Sequence, residues 1–319
     1  MLPTEKERTS QIEECNEELR RRISAERLEH LEETYGNELD ILPITTDTNC
    51  HESSLEGYAE YLTIDYTGKQ KKGATKGQWG TSNDDFQTLL RLKPNSEQDL
   101  IGVVKAIGEG RLQPGHGLAA LQTDRGIPLT KPSKVNGGLS DTARPRPVCM
   151  QQGEVKMAAY LVNKKFRNAV QEVIGLNQLS FKTLGGTEAH AHIHRANLEK
   201  HRDNVLITLD LGNAYGNGHA EHTISIIERS VPGLAAYMKQ VLRGPRTAVF
   251  NDQLAGITMA VPMDNGYIQG DSTSTAAFCI GQAPLNNKII RCFQDKLVCT
   301  WLQDDGNITG DIEAAITAV

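Results

Sequence analysis

No run of apolar residues in this 319-residue chain approaches the roughly 18 that a membrane-spanning helix needs. The opening MLPTEKERTSQIEE also lacks the basic-then-apolar order of a secretory signal. The expectation is a soluble, intracellular protein that does not engage a membrane, the nucleus being one candidate compartment. Cysteine is sparse, and the six present (Cys15, Cys50, Cys149, Cys279, Cys292, Cys299) show no C-x-x-C spacing, which argues against finger-type zinc sites and dithiol redox centres. They read as reduced thiols in the core or on the surface. The glycine-rich GEGRLQPGHG lacks the Gly-Lys-Ser/Thr ending of a phosphate loop and reads as a connector. His190, His192 and His194 are not part of an H-E-x-x-H pattern. The first and third share a helical face at i, i+4, as zinc ligands do, but core or nucleic-acid-facing histidines are the simpler reading. No internal repeat is evident.

Charge is unevenly distributed. The formal net charge is −6, yet residues 1–66 alone hold 17 acidic and 6 basic side chains, and the remainder nets +5. The clusters Lys69, Lys71, Lys72, Lys76 and Lys164, Lys165, Arg167 are candidates for a phosphate-facing stripe, beside the plainer reading of a solvated mixed surface.

Residues 5–34 are helix formers with a sparse apolar stripe (Ile12, Leu19, Ile23, Leu28, Leu31), and 36–83 is loop-like. A compact domain is expected to start near Asp84 with two helices, the second opened by Ser96 as N-cap and closed by glycine. RGIPLTKP and RPRPVCM predict a hairpin, and residues 153–173 a long helix. Gly185 and Gly186 precede a helix from Thr187, as N-cap, to Lys200. NVLITLDLGNAY holds the clearest strand, ending at Asp210. Helices at 219–229 and 232–242, a hairpin around NDQLAG, a glycine-rich turn into a helix, and the strand LVCTWL running into QDDG complete the chain.

The carboxylates carry the chemistry. Asp210 ends an apolar strand, where an ionised side chain is costly unless a cation balances it. Asp304 and Asp305, followed by Gly306, stand where a strand should reverse. If the two strands pair, three carboxylates converge, and oxygen-preferring cations of the Mg²⁺ type relieve their repulsion while bridging phosphates. Two such ions, about 3.5–4 Å apart, suit an in-line displacement at phosphorus. Taken singly, Asp210 also reads as a turn or capping residue, and DDG as a type I turn.

The order of five blocks resembles the reverse transcriptases of non-LTR retrotransposons over residues 84–310. The blocks are RGIPLTKP with RPV at 146–148, GGTEAHAHIHRA, LDLGNAY, GYIQGDSTSTAAF and WLQDDG. The resemblance implies an α+β right-hand polymerase fold with an antiparallel palm sheet (205–319), helix-rich fingers (84–204), an acidic extension (1–83) and a missing thumb. It implies that Asp210, Asp304 and Asp305 are catalytic, metal-binding carboxylates for two Mg²⁺, or Mn²⁺, ions. It also implies that Tyr215 is the ring under the incoming sugar, that Gln269 and Gly270 contact the nascent pair and template, and that Lys131 and Arg146 clamp the triphosphate. The expected partners are an RNA template, a DNA primer and deoxynucleoside triphosphates; oligomeric state is not readable.

Three positions depart from that pattern. Leu302 stands for the usual aromatic, Ser272 for the proline after Gly270-Asp271, and the sequence stops 14 residues after Asp305. The rival expectations are an RNA-templated RNA polymerase, against which Tyr215 argues because that palm usually has an aspartate there, and a catalytically inactive nucleic-acid-binding remnant.

Overall fold

The computed structural model describes residues 48–58, 96–113, 115–129, 146–244, 246–252, 256–263, 265–293 and 296–319. The expected N-terminal helix, the basic cluster at 69–76, the helix at 84–92 and Lys131 lie outside the described residues. Within them are eight α-helices and seven strands in two sheets, a mixed α and β architecture. No described helix is long and apolar enough to cross a membrane.

The described residues divide into two compact units assembled from interleaved segments: those within 54–162 and 236–274 in one, those within 48–53, 163–235 and 275–319 in the other. The segments interleave because the strand at 247–252 returns to pair with the strand at 123–129.

In the first unit, helix α1 (Ser96–Gly108) and helix α2 (His116–Leu121) precede strands β1 (Thr123–Leu129) and β2 (Arg146–Met150). Ser96 is already helical rather than the cap before the helix; the helix does end at glycine, with Gly110 just beyond at φ 67. β1 and β2 pair antiparallel, Arg125 opposite Met150, as the hairpin pattern predicts. Strands β4 (Thr247–Asp252) and β5 (Ile257–Pro262) complete the order β2-β1-β4-β5, with β1 and β4 parallel. Cys149, Ala248, Phe250, Met259, Val261, Met263 and Ile268 form its core. Phe250 lies against its paired neighbour Gly126, where a Cβ would stand 2.4 Å from the ring.

In the second unit, helix α3 (Gly153–Ile174), which begins in the first unit, leads to helix α4 (Gly186–Lys200) and strand β3 (Val205–Asp210). Helix α5 (Ala220–Ser230) is capped by His219, whose Nδ1 accepts from the His222 N–H, and helix α6 (Pro232–Arg243), which passes into the first unit at Ala236, starts on proline. Helix α7 (Ser274–Phe293), strands β6 (Leu297–Leu302) and β7 (Asp305–Gly310) and helix α8 (Ile312–Thr317) follow. The sheet order is β3-β7-β6, antiparallel throughout.

Alternation sorts this sheet into two faces. Val205, Ile207 and Leu209 join Cys299, Trp301 and Ile308 in a core with Ile289 and Ala315. The opposite face carries, in rows from the hairpin turn inward, Asp210, Asp305 and Leu302; then Thr208, Asn307 and Thr300; then Leu206, Thr309 and Val298.

Two expectations need correction. Helix α4 begins at Gly186 and is capped by Gly185, not Thr187. Gly185 takes the left-handed φ 65, and a Cβ on Gly186 would stand 2.1 Å from the Leu179 carbonyl oxygen, so each glycine answers a separate need. Lys165 is not part of a phosphate-facing stripe: it is buried, and its Nζ donates to the Glu52 carbonyl at 2.6 Å. Lys164 and Arg167 are exposed.

Candidate active site

Asp210 and Asp305 are directly paired across β3 and β7. Opposite residues in an antiparallel pair point to the same face, with Cα atoms about 4.5–5.5 Å apart, so the Asp210 and Asp305 side chains leave the sheet side by side. Asp304 occupies the two-residue turn between β6 and β7, and its carbonyl accepts the Leu211 N–H at 3.3 Å. Sequence separation of nearly a hundred residues is thus closed by strand pairing alone.

Asp210 and Asp305 are exposed and Asp304 is half-buried. The expectation of a carboxylate desolvated at the end of a buried strand is therefore wrong for Asp210, because β3 alternates, placing Leu206, Thr208 and Asp210 outward. As the side chains stand, no three His, Cys, Asp or Glu among the described residues form a ready metal cage. By donor chemistry alone, three carboxylates are the oxygen ligands that hard divalent cations prefer.

The turn is strained. Gln303 has φ 58 while Asp304 is not left-handed. Left-handed geometry at only the first central residue is the II′ pattern, a position that ordinarily takes glycine. Its backbone is bonded to the buried Gln178 side chain and its own Oε1 accepts from Tyr215 Oη at 3.1 Å. Tyr215 Oη also lies 3.2 Å from Thr275 Oγ1, and the ring stacks on Phe278 with centroids 5.2 Å apart and planes 9° from parallel. Burial pushes the Tyr215 phenol above its usual pKa, so it is a neutral hydroxyl near pH 7.

Helix α4 covers the rows behind the carboxylates. His190 Nδ1 lies 2.7 Å from Thr300 Oγ1, and His194 bridges Thr300 Oγ1 at 2.7 Å and Thr309 Oγ1 at 2.9 Å. Both histidines are buried and desolvation lowers their pKa, His194 to about 4. The shared helical face is real, but it serves the core, and His192 is exposed. Comparison with models of known protein families finds no match, and none is found among curated proteins either.

The remaining candidates belong to the first unit. Arg146 opens β2, exposed and opposite Leu129. Gln269 forms a parallel bridge with Val148, its carbonyl accepting the Cys149 N–H at 2.7 Å. Gly270 has φ 97, and a Cβ there would stand 2.3 Å from the Cys149 carbonyl oxygen, so this position demands glycine. Asp271 is buried, its Oδ1 accepting from Thr273 N and Oγ1 at 2.6 and 2.7 Å, and Ser272 N donates to Gln151 Oε1 at 3.1 Å. The turn after Gly270 is thus held by side-chain bonds.

Sequence reasoning missed Gln178, Thr275, Phe278 and Gln303. The first is a lone amide in a loop, without periodicity. For Gln303 a signal existed: a residue between an apolar strand and an Asp-Asp-Gly turn must take the first central position of a short hairpin.

Proposed function

We propose that the chain is a template-directed nucleotidyltransferase that synthesises DNA on RNA, with the right-hand polymerase arrangement that its motif order resembles. The observation that carries the reading is the pairing of Asp210 with Asp305 beside Asp304, with Tyr215 bonded to the same turn. Asp210, Asp304 and Asp305 would hold two divalent cations, which when bound activate a primer 3′-hydroxyl and balance charge on departing pyrophosphate. The protein's share is positional: the antiparallel register fixes the spacing of the carboxylates, and the half-buried ring of Tyr215, braced by Phe278, presents a rigid surface to the sugar. A ring in that place collides with a 2′-hydroxyl, which favours deoxynucleotides over ribonucleotides. Lys131 and Arg146 are assigned to the triphosphate, and Gln269 and Gly270 to the template base pair, on the resemblance.

The test is primer extension on an RNA template with Mg²⁺ or Mn²⁺, beside Asp304→Ala. Extension by the parent and none by the variant is expected, with dNTPs preferred by the parent and the preference relaxed in Tyr215→Ala. Template binding without extension in either protein would replace this reading with a non-catalytic nucleic-acid binder, and a parent that prefers ribonucleotides would make it an RNA polymerase.

A further inference from the structure

This inference rests on the polymerase reading and deepens it. Gln178 is fully buried. Its Oε1 accepts the Gln303 N–H at 2.8 Å and the Ser180 hydroxyl at 2.7 Å, while its Nε2 donates to the Gln303 carbonyl at 3.2 Å and to Gln282 Oε1 at 2.8 Å. A primary amide that meets both the N–H and the C=O of one residue restrains that residue's backbone on both sides. The residue so held is the one at φ 58, in a turn position that glycine would occupy without strain. The amide is itself anchored: Trp301 N donates to the Asn177 carbonyl at 2.8 Å, Leu179 N donates to the Trp301 carbonyl at 2.7 Å, and Gln178 bridges Trp301 in parallel.

Gln303 is also the link between two functions. Its backbone leads directly into Asp304 and Asp305, and its side chain accepts from Tyr215. We infer that Gln178 is a positioning residue: by fixing Gln303 it sets the Asp304–Asp305 turn for cation binding and, through the Gln303 amide, the ring of Tyr215 for sugar selection. A purely space-filling role would leave cation affinity and sugar preference unchanged once the protein is folded.

The experiment uses the full chain and three readouts. Amide hydrogen exchange at Gln303 should be roughly tenfold faster or more in Gln178→Met, as expected for a lost buried hydrogen bond, with β3 and β7 amides unchanged. Mn²⁺ titration followed by water-proton relaxation should show a site in the parent that Asp304→Asn abolishes and that Gln178→Met weakens by up to roughly tenfold, the lower end of the loss for a group bonded directly to a metal ligand, because Gln178 acts through Gln303. Adding Gln303→Gly to Gln178→Met should recover much of that affinity, because glycine adopts the left-handed turn unaided. Discrimination between dNTP and NTP should fall in Gln178→Met. Should that variant not fold, Gln178→Asn keeps a neutral amide but is one methylene too short to meet Gln303, and should shift Mn²⁺ affinity in the same direction.

Unchanged Gln303 exchange, or unchanged Mn²⁺ affinity in a folded variant, would overturn the positioning role while leaving the polymerase reading intact. A parent that binds Mn²⁺ no better than Asp304→Asn would overturn both.

Discussion

Trp301 lies across Gly306, its directly paired neighbour on the next strand, and a Cβ at Gly306 would stand 2.5 Å from the indole ring. The indole is 1% exposed and packs with Ile308, Ile289 and Cys299, so it cannot move aside without disturbing the sheet core. Glycine is therefore required one residue after the acidic pair by the ring opposite it, apart from any demand of the turn. Gly306→Ala should destabilise the second unit by about 1–3 kcal/mol, the usual range for overpacking a core. Hydrogen exchange of the β6 and β7 amides would measure it, and Gly306→Ala combined with Trp301→Leu should lose less than the sum of the two changes.

Two exposed carboxylates directly opposite each other work against the sheet that presents them. Like charges in that arrangement cost roughly 0.2–1 kcal/mol, so Asp210→Asn should raise thermal stability slightly while removing nucleotide incorporation. A fall in melting temperature would show that the two carboxylates do not oppose each other in the folded protein. Mg²⁺ should raise the melting temperature of the parent and have little effect on the variant, since a ligand that binds only the folded state stabilises it.

Local chemistry explains which of these features were legible beforehand. The strand to Asp210 announces itself by alternating β-branched and leucine residues, and the DDG turn by composition, so each acid could be placed at a strand end. Their pairing could not be read, because register between strands far apart in sequence is fixed by a shared core of Val205, Ile207, Trp301 and Ile308 rather than by any local pattern. Lys165 was misread for the opposite reason: charge predicts exposure on average, and only the position of the Glu52 carbonyl reveals the buried ammonium. The interleaved return of β4 to β1 leaves no local trace at all.

His194 makes the second unit sensitive to acid. Burial, followed by the neighbouring His190, lowers its pKa from 6.5 to about 4. The folded state therefore holds it neutral, bridging Thr300 and Thr309, whereas the unfolded chain takes up a proton below about 6.5. Stability from this group is fully present above pH 6.5 and is lost as pH falls toward 4, with a total on the order of 2–3 kcal/mol. Hydrogen exchange of β6 and β7 at pH 7 and pH 5 should show the loss in the parent. His194→Gln should be less stable at pH 7 but flatter with pH, and an equally steep profile in the variant would assign the acid sensitivity elsewhere.

Asp124 gives the first unit the opposite dependence. It is 4% exposed, and its pKa is pushed up to about 8, first by burial and then by the charge of Asp271, with Arg246 and Lys156 opposing less strongly. The folded state thus keeps a neutral carboxylic acid through neutral pH, while the unfolded chain releases the proton above about 3.9. The sign follows: between pH 4 and pH 8 the folded state binds more protons than the unfolded one, so stability falls as pH rises. Asp124→Asn retains the shape without an ionisation to suppress. Relative to the parent it should gain about 1–3 kcal/mol between pH 5 and pH 8, read from hydrogen exchange of β1 and β4. Use of those strands keeps the measurement apart from the acid response of β6 and β7, which belong to the other unit. A parent and variant with parallel profiles would show that Asp124 is ionised in the folded protein, its charge balanced by Arg246.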